Sequence, residues 1–547
     1  MKVSLSWLKE LVGYSLSPQE LANKLSLHSI GVKSITDDYI ELDLTYNRGD
    51  LLSLRGVARE AAAITGSKPK FEDKPFPKYD LPETAVKIEN NKLCPIYCVA
   101  KIQNLKVEKS NDTWVKKLSD SGIRSVNSIA DVTNLIMLEY GQPMHAFDAR
   151  GVADESIIVR LARKDERITT LDGKTRDLGT SDLMIADSLN ALGIAGVMGG
   201  KDSEVTDSTT TILLEAAIFD PVSIRDTSKR HGLYSEASKR FQHGLTKTNL
   251  LQALSVAIKM YEGLGGKLIA ISLVGDLEDK VKTIQLTKVK INSLLGLDIP
   301  AQEIEQSLKS LGFILASNPG GWNVTVPYFR LDVGIEEDLI EEVARMYGYE
   351  KIEGKKLEGQ VPKPLDQSLQ NFIHDLKVKL AGVGLTEVQT YSFYSTDILK
   401  VLYTWNVSSK LVKVANPISS ETQYLRDKLW PNLIEVVGRN LKQGFKDIAI
   451  FEIGKVYSPK KGELPNEKYH LAIALMNGSD NPLADLSAIA KSVNLGGGSA
   501  RQPRENMELF HPTRITENMA EVHPRVLNKF GIEKRVAILE IDLEALL

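Results

Sequence analysis

The sequence predicts an α+β protein built from several domains, and three observations support this fold class. At 547 residues the chain is too long for one hydrophobic core, so about three to five domains are expected. Segments with the alternating period of β-strands stand among segments with the period of amphipathic helices. Hydrophobic residues make up 42% of the chain and charged residues 25%, as is typical of folded globular proteins.

Residues 1–84 are predicted to form a small α/β domain. Ser17 and Glu20 are spaced as a capping box at the start of a helix. Apolar and polar residues alternate over 39–45, which predicts a half-buried strand. A second helix is predicted to follow Asp50 as its cap and to end at Gly66.

Residues 85–278 are predicted to form a second domain of mixed α/β structure. Short segments with strand character, such as 156–161 and 211–214, are separated by turn signals such as Asp172-Gly173. The second of these segments runs directly into Glu215. A sheet with accompanying helices is therefore expected.

Two further domains are predicted after residue 278. Residues 279–356 combine helices near 300–311 and 335–347 with a strand at 322–327, which predicts a small helix-turn-helix-like module. Residues 357–547 start near the proline pair at 362–364 and continue with an apolar helix and several β-rich segments. They predict an antiparallel sheet with flanking helices, interrupted by a flexible glycine-rich loop at 496–499.

Composition excludes several classes of protein. The formal net charge of −3 does not indicate a nucleic-acid binder, so any contact with nucleic acid must use a local basic patch or a partner chain. Two cysteines, Cys94 and Cys98, cannot form a disulfide framework or a four-cysteine zinc site. Neither a signal peptide nor a membrane-spanning segment is recognisable, so a soluble cytoplasmic protein with no membrane contact is expected.

Polar and glycine-rich segments of the second domain are candidates for a binding pocket. Asn134 and His145 could hold a water, although a histidine beside Phe and Met is commonly a core residue. Four glycines over 193–200 indicate a close approach of the backbone, but the phosphate-loop pattern is not met. A pocket wall and a series of structural turns remain alternatives. Glu215 stands in an apolar segment and could bind a ligand hydroxyl or amine, or lie at an exposed strand edge.

Charged clusters provide two more candidates. The densest basic stretch, residues 225–243, could contact phosphate or form a solvated helix face. Asp338, Glu341 and Glu342 share one face of the predicted acidic helix, and Asp332 precedes it. Four carboxylates would favour a hard cation such as Mg²⁺, and a solvated acidic face is the alternative. These patterns alone do not identify the function.

Taken together, the motifs resemble those of bacterial-type phenylalanyl-tRNA synthetase β chains. Residues 128–134, 141–148, 195–200, 214–219 and 236–241 are similar to the editing-domain signature of that family. Asp332 with residues 337–345 resembles its helix-turn-helix-like module. Asn416-Pro417, Leu425-Arg426 and residues 451–454 resemble its class II synthetase-like domain. The matches run in the same order along nearly the whole chain.

The resemblance implies an editing site that hydrolyses tyrosine wrongly attached to tRNA(Phe). Glu215 would recognise the tyrosine hydroxyl, and Asn134 and His145 would place the attacking water, while backbone amides near 196–200 stabilise charge on the carbonyl oxygen. The residues implied to line the pocket are Thr133, Asn134, Pro143, His145, Ala195, Gly196, Gly199 and Glu215. Those implied to bind Mg²⁺ are Asp332, Asp338, Glu341 and Glu342.

The resemblance also implies partners. The chain would join an α-subunit in an α₂β₂ heterotetramer that charges tRNA(Phe), with ATP used by the α-subunit. The 357–547 domain lacks the GxGxxR pattern of class II active sites, so it would be a catalytically silent scaffold that docks the α-subunit.

Two departures from the family pattern leave an alternative open. The inserted oligonucleotide-binding-like domain is missing, because Ile35 is followed almost directly by Leu42. A C-terminal anticodon-binding domain is also missing from this sequence. The chain could therefore be an editing subunit, or a non-catalytic scaffold with a vestigial editing pocket.

Overall fold

The computed structural model describes residues 1–354, 356, 358–360, 365–402, 411–495, 510–515 and 518–546, with only the backbone at 510–515. The fold is α+β, as predicted. The chain divides into two compact units, Met1–Lys356 and Leu357–Leu547. The proline pair at 362–364 and the glycine-rich segment at 496–499 lie outside the described residues.

The first part of unit 1 is a three-stranded antiparallel sheet, in the order β1-β3-β2, with three helices. Strands β1 and β2 flank β3, and a turn at residues 36–38 joins β2 directly to β3. The elements are β1 (Lys2–Ser4), α1 (Leu5–Leu11), α2 (Pro18–His28), β2 (Gly31–Ile35), β3 (Tyr39–Asp43) and α3 (Leu54–Thr65).

Helix boundaries in this part follow local hydrogen bonding. Ser17 and Glu20 form the predicted capping box at the start of α2. The prediction that Asp50 caps the next helix is wrong, because the Ser53 hydroxyl accepts the Gly56 amide at 3.0 Å and α3 begins after Ser53. Gly66 ends α3 as predicted, with φ of 69° in the left-handed region that glycine tolerates.

The central part of unit 1 contains two larger sheets. A four-stranded antiparallel sheet has the order β14-β5-β13-β6, and a five-stranded sheet has the order β12-β11-β10-β7-β4 with β4 parallel to β7. Strands β8 and β9 form a separate pair. The elements are β4 (Val86–Ile88), β5 (Ile96–Gln103), α4 (Asp112–Asp120), α5 (Ser128–Tyr140), β6 (Met144–Asp148), β7 (Ile157–Leu161), β8 (Arg167–Thr169), β9 (Thr175–Asp177), β10 (Leu183–Ala186), β11 (Ala191–Ile194), β12 (Met198–Gly199), β13 (Ile212–Ile218), α6 (Pro221–His231), α7 (Glu236–Gln242), α8 (Lys247–Gly263) and β14 (Lys267–Gly275).

Strand β13 separates two hydrophobic cores and thereby positions the candidate site. All seven of its residues are buried. Leu213 and Ala217 share a core with the five-stranded sheet, whereas Leu214 and Ala216 share one with helices α5 and α8. Because side chains alternate along a strand, Glu215 faces the same side as Leu213 and Ala217. The prediction of a strand leading into Glu215 is confirmed, and the alternative of an exposed strand edge is wrong.

The last part of unit 1 is a three-stranded antiparallel sheet, in the order β15-β17-β16, with three helices. The two predicted helices and the predicted strand are all present. Leu339 and Val343 bury one face of the acidic helix in the local core. The elements are β15 (Lys282–Thr287), α9 (Lys288–Leu295), α10 (Ala301–Ser310), β16 (Ile314–Asn318), β17 (Gly321–Val326) and α11 (Glu336–Tyr347).

Unit 2 is a six-stranded sheet with helices, in the order β18-β19-β20-β23-β22-β21. Its pairs are antiparallel except for β18 with β19. Helices α14 and α16 share one core with the sheet, and α12 and α15 share another. The elements are α12 (Ser368–Gly382), β18 (Thr386–Glu387), α13 (Thr396–Leu402), α14 (Trp430–Lys442), β19 (Ile448–Ser458), β20 (Asn466–Met476), α15 (Pro482–Ser492), β21 (Phe510–Ile515), β22 (Met519–Val522), α16 (Pro524–Lys529) and β23 (Ala537–Asp542).

The cysteines and the helices agree with the simplest predictions from composition. Cys94 and Cys98 are both free and buried. None of the helices in the described part of the chain combines the length and the apolarity that crossing a membrane requires.

Candidate functional site

A cavity of about 240 Å³ lies on the face of the four-stranded sheet that carries Glu215. Strands β6 and β13 form its floor, and the glycine-rich β11–β12 hairpin and helix α7 contribute to its walls. Six of the residues implied by the family resemblance line it. They are Pro143, His145, Ala195, Gly196, Gly199 and Glu215.

Strand register brings the two ionisable residues of the lining together. His145 on β6 is the direct antiparallel partner of Glu215 on β13. Side chains that are directly opposite on one face of such a pair have Cβ atoms about 5 Å apart. They are 70 positions apart in the sequence and meet because β6 and β13 are adjacent in the sheet.

Glu215 is a buried carboxylate with one neutral hydrogen-bond donor. The Tyr97 hydroxyl on β5 donates to its Oε2 atom at 2.6 Å. Burial raises the pKa of Glu215 to about 7, and the hydrogen bond from Tyr97 acts in the opposite direction. Within the described part of the chain, no ion pair involves this carboxylate. Glu215 is therefore poised to accept a further donor from a ligand.

His145 is neutral and has a hydrogen-bonding atom available. Part of the residue is exposed, but its Nε2 atom is buried and finds no partner among the described residues. Burial lowers the pKa of the imidazole to about 4, so the ring carries no charge near neutral pH. Phe147 holds the ring edge-to-face, with a centroid distance of 4.5 Å. A neutral imidazole can orient a water molecule through Nε2.

Two glycines of the hairpin are required by close packing. A Cβ atom at Gly199 would lie 2.7 Å from Cε1 of His145. Gly196 has φ of 65°, and a Cβ atom there would lie 2.9 Å from the side chains of Ile224 and Phe219. The segment is therefore both a turn and a pocket wall, which unites the two interpretations that the sequence left open.

Backbone amides of the same segment are partly occupied. The Val197 amide donates to the Ile194 carbonyl at 3.0 Å, and the Gly200 amide donates to the Leu192 carbonyl at 2.7 Å. These two groups hold the hairpin together. The expectation that the amides of 196–200 stabilise charge on a carbonyl oxygen therefore does not extend to Val197 and Gly200.

Thr133 and Asn134 lie apart from the other predicted pocket residues. Both are on α5, which packs on the opposite face of the four-stranded sheet from Glu215. The Thr133 hydroxyl donates to the Ala130 carbonyl at 2.7 Å within its own helix. Neither residue is part of the cavity lining.

The four predicted Mg²⁺ ligands are not gathered into one site. Glu341 is exposed, and Asp338 accepts the amides of Gly334 and Ile335 at the start of α11. Asp332 accepts two hydrogen bonds from the Arg330 guanidinium, at 2.8 and 2.9 Å. Among the described residues, no group of three or more His, Cys, Asp or Glu side chains is placed to hold a metal. The arrangement does not fit the predicted magnesium site.

Glu342 belongs instead to a buried network of arginines and carboxylates. Arg330 and Arg345 both donate to Glu342, and Arg345 also donates to Glu60 at 2.8 and 3.0 Å. Arg48 donates to Glu60 at 2.6 Å. Burial alone would raise the pKa values of Glu60 and Glu342, but the neighbouring arginines lower both below the ordinary value. The network joins the first and last parts of unit 1.

The predicted basic stretch divides between internal and exposed side chains. Arg230 and His231 bind Asp182, and the fully buried Arg240 donates to the Leu52 carbonyl at 3.1 Å. Arg225 and Lys229 are exposed. The stretch therefore divides between internal contacts and exposed cations on α6, for which phosphate contact and a solvated helix face both remain open.

Tyr97 is not among the residues that the sequence predicted for the site, although its hydroxyl is the one hydrogen-bond donor to the Glu215 carboxylate among the described residues. Its partner lies 118 positions away, so no local pattern marks it. A tyrosine within the apolar run that forms β5 was the available signal.

Comparison with known proteins gives three consecutive domain matches. Residues 93–266 match the B3/4 domain, residues 284–349 match the tRNA synthetase B5 domain, and residues 352–543 match the phenylalanyl tRNA synthetase beta chain CLM domain. A solved N-terminal fragment of the phenylalanyl-tRNA synthetase beta-subunit from Pyrococcus horikoshii is 18% identical. It covers 63% of this chain and 99% of the fragment with a TM-score of 0.37, which is too low to compare the folds.

Full-length relatives extend these matches. The phenylalanine–tRNA ligase beta subunit of Geobacter sulfurreducens is 34% identical, over 98% of this chain and 71% of that subunit. The corresponding subunit of Syntrophus aciditrophicus is 35% identical, over 94% of this chain and 68% of its own length. That of Bacillus cereus is 37% identical, over 81% and 56%. The chain therefore belongs to the phenylalanine–tRNA ligase β-subunit family.

Proposed function

We propose that this chain is the β-subunit of an α₂β₂ phenylalanine–tRNA ligase and hydrolyses Tyr-tRNA(Phe) in the cavity beside Glu215. The observation that carries the proposal is the pairing of Glu215 with His145 at the floor of that cavity. One side chain can recognise a hydroxyl, and the other can hold a water. In the complex, the α-subunit would charge tRNA(Phe).

Hydroxyl recognition is the task for which Glu215 is suited. An aminoacylation pocket that binds phenylalanine discriminates against an analogue with one added hydroxyl by only about 100-fold. A second pocket that needs the hydroxyl supplies the missing discrimination. The Glu215 carboxylate accepts a hydrogen bond from the tyrosine hydroxyl, whereas a phenylalanyl group would bury the carboxylate with no donor beyond the Tyr97 hydroxyl. Correctly charged tRNA is thereby spared.

Hydrolysis then requires an oriented water. Attack of the water on the ester carbonyl carbon forms a new C–O bond and breaks the bond to the ribose oxygen. A proton of the water passes to that ribose oxygen as tyrosine leaves. His145 is too weak a base for full proton abstraction, because burial lowers its pKa to about 4. Its Nε2 atom holds the water by a hydrogen bond and fixes the direction of attack.

The remaining predicted residues have supporting roles in this proposal. Pro143, Ala195, Gly196 and Gly199 shape the walls of the cavity. Thr133 and Asn134, which lie outside the lining, support the β6 end of the sheet through α5 rather than contacting the ester.

The domain and cofactor assignments complete the proposal. Domains at 1–84, 85–278, 279–356 and 357–547 correspond to an N-terminal α/β domain, an editing domain, a B5-type module and a silent class II-like domain. The last of these would dock the α-subunit. ATP and Mg²⁺ are assigned to the α-subunit's charging reaction, and no step in the β-subunit pocket uses them.

A deacylation assay tests the proposal. This chain is co-expressed with its α-subunit, and release of tyrosine from Tyr-tRNA(Phe) is compared with a Glu215→Ala, His145→Ala double variant. We expect the double variant to lose at least about 100-fold in rate, since both recognition and water placement are removed. Equal rates in the two proteins would make the chain a scaffold with a vestigial pocket.

Matched controls separate the pocket from the rest of the domain. Glu303→Ala removes an exposed carboxylate on α10 and should leave the rate unchanged. Asn134→Ala should reduce the rate less than His145→Ala does. A loss at Asn134 as large as that at His145 would restore it to a direct place in the reaction.

A further inference from the structure

We propose that Tyr97 is a positioning residue for substrate selection: its phenol holds Oε2 of Glu215 so that Oε1 faces the hydroxyl of the bound tyrosyl group. The inference rests on the proposed editing function and names the side chain that sets its specificity. Tyr97 does not touch the ester and is not assigned a catalytic role.

The strand register fixes this contact. On β5, Val99 is the direct partner of Glu215, and Tyr97 is the direct partner of Ala217. Tyr97 is thus the diagonal neighbour of Glu215 on the same face, within reach for a long aromatic side chain. The phenol is fully buried, and its 2.6 Å hydrogen bond to Glu215 satisfies it. A buried hydroxyl on a rigid central strand fixes the rotamer of its acceptor.

The remaining oxygen is the one offered to the cavity. Within the described residues, the Tyr97 hydroxyl is the single hydrogen-bond donor to Glu215, and it contacts Oε2. Glu215 also lines the cavity. A second phenol, supplied by the substrate, would complete the carboxylate from the opposite side. Because Tyr97 is neutral, the charge of Glu215 remains available to that second donor.

Among the ionisable groups around it, Glu215 is the one that we expect to change its protonation state near neutral pH. Burial raises the pKa values of Tyr97 and Cys94, and burial lowers that of His145, so all three are uncharged at neutral pH. The β11–β12 hairpin and α7 contribute no titratable side chain to the lining. Burial raises the pKa of Glu215 to about 7, and the Tyr97 hydrogen bond opposes this rise. Loss of the Tyr97 hydroxyl therefore favours the protonated carboxyl.

The test is Tyr97→Phe in the co-expressed α–β complex, with deacylation of Tyr-tRNA(Phe) and Phe-tRNA(Phe) measured from about pH 6 to pH 9. Protein-free hydrolysis is subtracted at each pH. We expect the ratio of kcat/KM for Tyr-tRNA(Phe) to kcat/KM for Phe-tRNA(Phe) to fall about tenfold near pH 7. The midpoint of the pH dependence of this ratio should move up by about one pH unit. Selectivity should recover at higher pH, where Glu215 is again ionised. A merely structural defect would lower both reactions together at every pH.

Tyr261→Phe is the matched control. Tyr261 is equally buried, and its hydroxyl donates to the Ile129 carbonyl at 2.9 Å on the opposite face of the sheet. It should keep the wild-type selectivity and midpoint. If Tyr97→Phe does not fold, 3-fluorotyrosine at position 97 replaces it. The more acidic phenol should donate more strongly and move the midpoint to lower pH.

Each contrary outcome is distinct. An active wild-type complex with unchanged selectivity and midpoint in Tyr97→Phe, or in the fluorinated protein, overturns the role of Tyr97 and leaves the editing function standing. The same changes in Tyr261→Phe would also overturn it, because any lost buried hydroxyl would then suffice. A wild-type complex without deacylation removes the proposed function and the inference together.

Discussion

The Glu60–Glu342 network and the Glu215 pocket both bury carboxylates, and they treat the charge in opposite ways. Glu60 and Glu342 are surrounded by arginines, which lower their pKa values below the ordinary value despite burial. In the part of the chain that the structure describes, Glu215 has a single phenol as its partner, and burial raises its pKa to about 7. In the first region, the protein itself supplies the hydrogen-bond donors for the carboxylates. In the second, Glu215 can accept a further hydrogen bond from a bound ligand.

A buried carboxylate can stabilise the fold or serve a binding site. Both regions contain buried carboxylates in well-packed surroundings, so burial alone does not distinguish them. The distinguishing feature is the source of the compensating donors. Buried ions without a full set of partners are costly, and such groups concentrate at functional sites. By this criterion we propose Glu215 as a site residue, whereas Glu342 stabilises the fold.

The largest expected loss of stability comes from disrupting the network of arginines around Glu60 and Glu342. Arg345→Met removes the guanidinium that joins Glu60 and Glu342, leaving each with fewer donors in a buried position. We expect the free energy of unfolding to fall by about 3 kcal/mol. Chemical denaturation of the purified chain measures the change.

Arg167→Met provides the control for this change. Its ion pair with Asp177 is exposed on both sides and should contribute about 0.5 kcal/mol or less. If both variants lose equally little stability, the buried network does not hold the two parts of unit 1 together.

An effect of similar size and opposite sign is expected from removing the charge of Glu215. Glu215 has a pKa of about 7 in the folded chain, above its ordinary value of 4.5. The folded state therefore binds the proton more tightly, and the wild-type chain loses stability as the pH rises from about 4.5 to about 7. Glu215→Gln should remove this loss and be more stable than wild type by about 3 kcal/mol near pH 8, with little difference near pH 4.

Glu60→Gln sharpens the contrast because it should have the opposite sign. Its carboxylate has a lowered pKa, so it contributes stability above pH 4.5 that is lost as the pH falls through the folded value. Denaturation curves near pH 8 should thus show a loss for Glu60→Gln and a gain for Glu215→Gln. Equal losses would remove the distinction between the two regions.

The smallest expected effect is that of magnesium on the isolated chain. Because Arg330 occupies Asp332 and Glu342, millimolar Mg²⁺ should leave the melting temperature unchanged relative to EDTA. Glu341→Gln, at the exposed member of the acidic set, should behave in the same way. If Mg²⁺ raises the melting temperature and Asp332→Asn abolishes that rise, the predicted magnesium site is present after all.

Local patterns predicted most of the fold. The capping box at Ser17 and the glycine end of α3 were recognisable because capping uses groups within a few residues of one another. Asp50 was mistaken for a cap because Ser53 stands three residues later and is equally suitable. Its carboxylate instead binds Arg48 at 2.9 Å, a contact the helical pattern does not reveal.

Residues of the candidate site that belong to a family motif could be predicted from the sequence. Residues that only the pairing of distant strands brings to the cavity could not. His145 and Glu215 were identified by resemblance, and register places them side by side. Helix α11 was correctly predicted, but its carboxylates divide between separate contacts, and Arg330, Arg48 and Arg345 determine the surroundings of Glu342 and Glu60. Tyr97 was missed because long-range strand pairing cannot be read from spacing along one chain.

The buried network has a consequence for the order in which contacts can form while the chain is synthesised. Arg48 can reach Glu60, and Arg330 can reach Glu342, each across 12 positions of sequence. Arg345 reaches Glu60 across 285 positions. At about 5 to 20 residues per second, a ribosome needs about 15 to 60 s to synthesise that interval. The Arg48–Glu60 half of the network can therefore form early in synthesis, and the junction closes only after residue 345 has emerged.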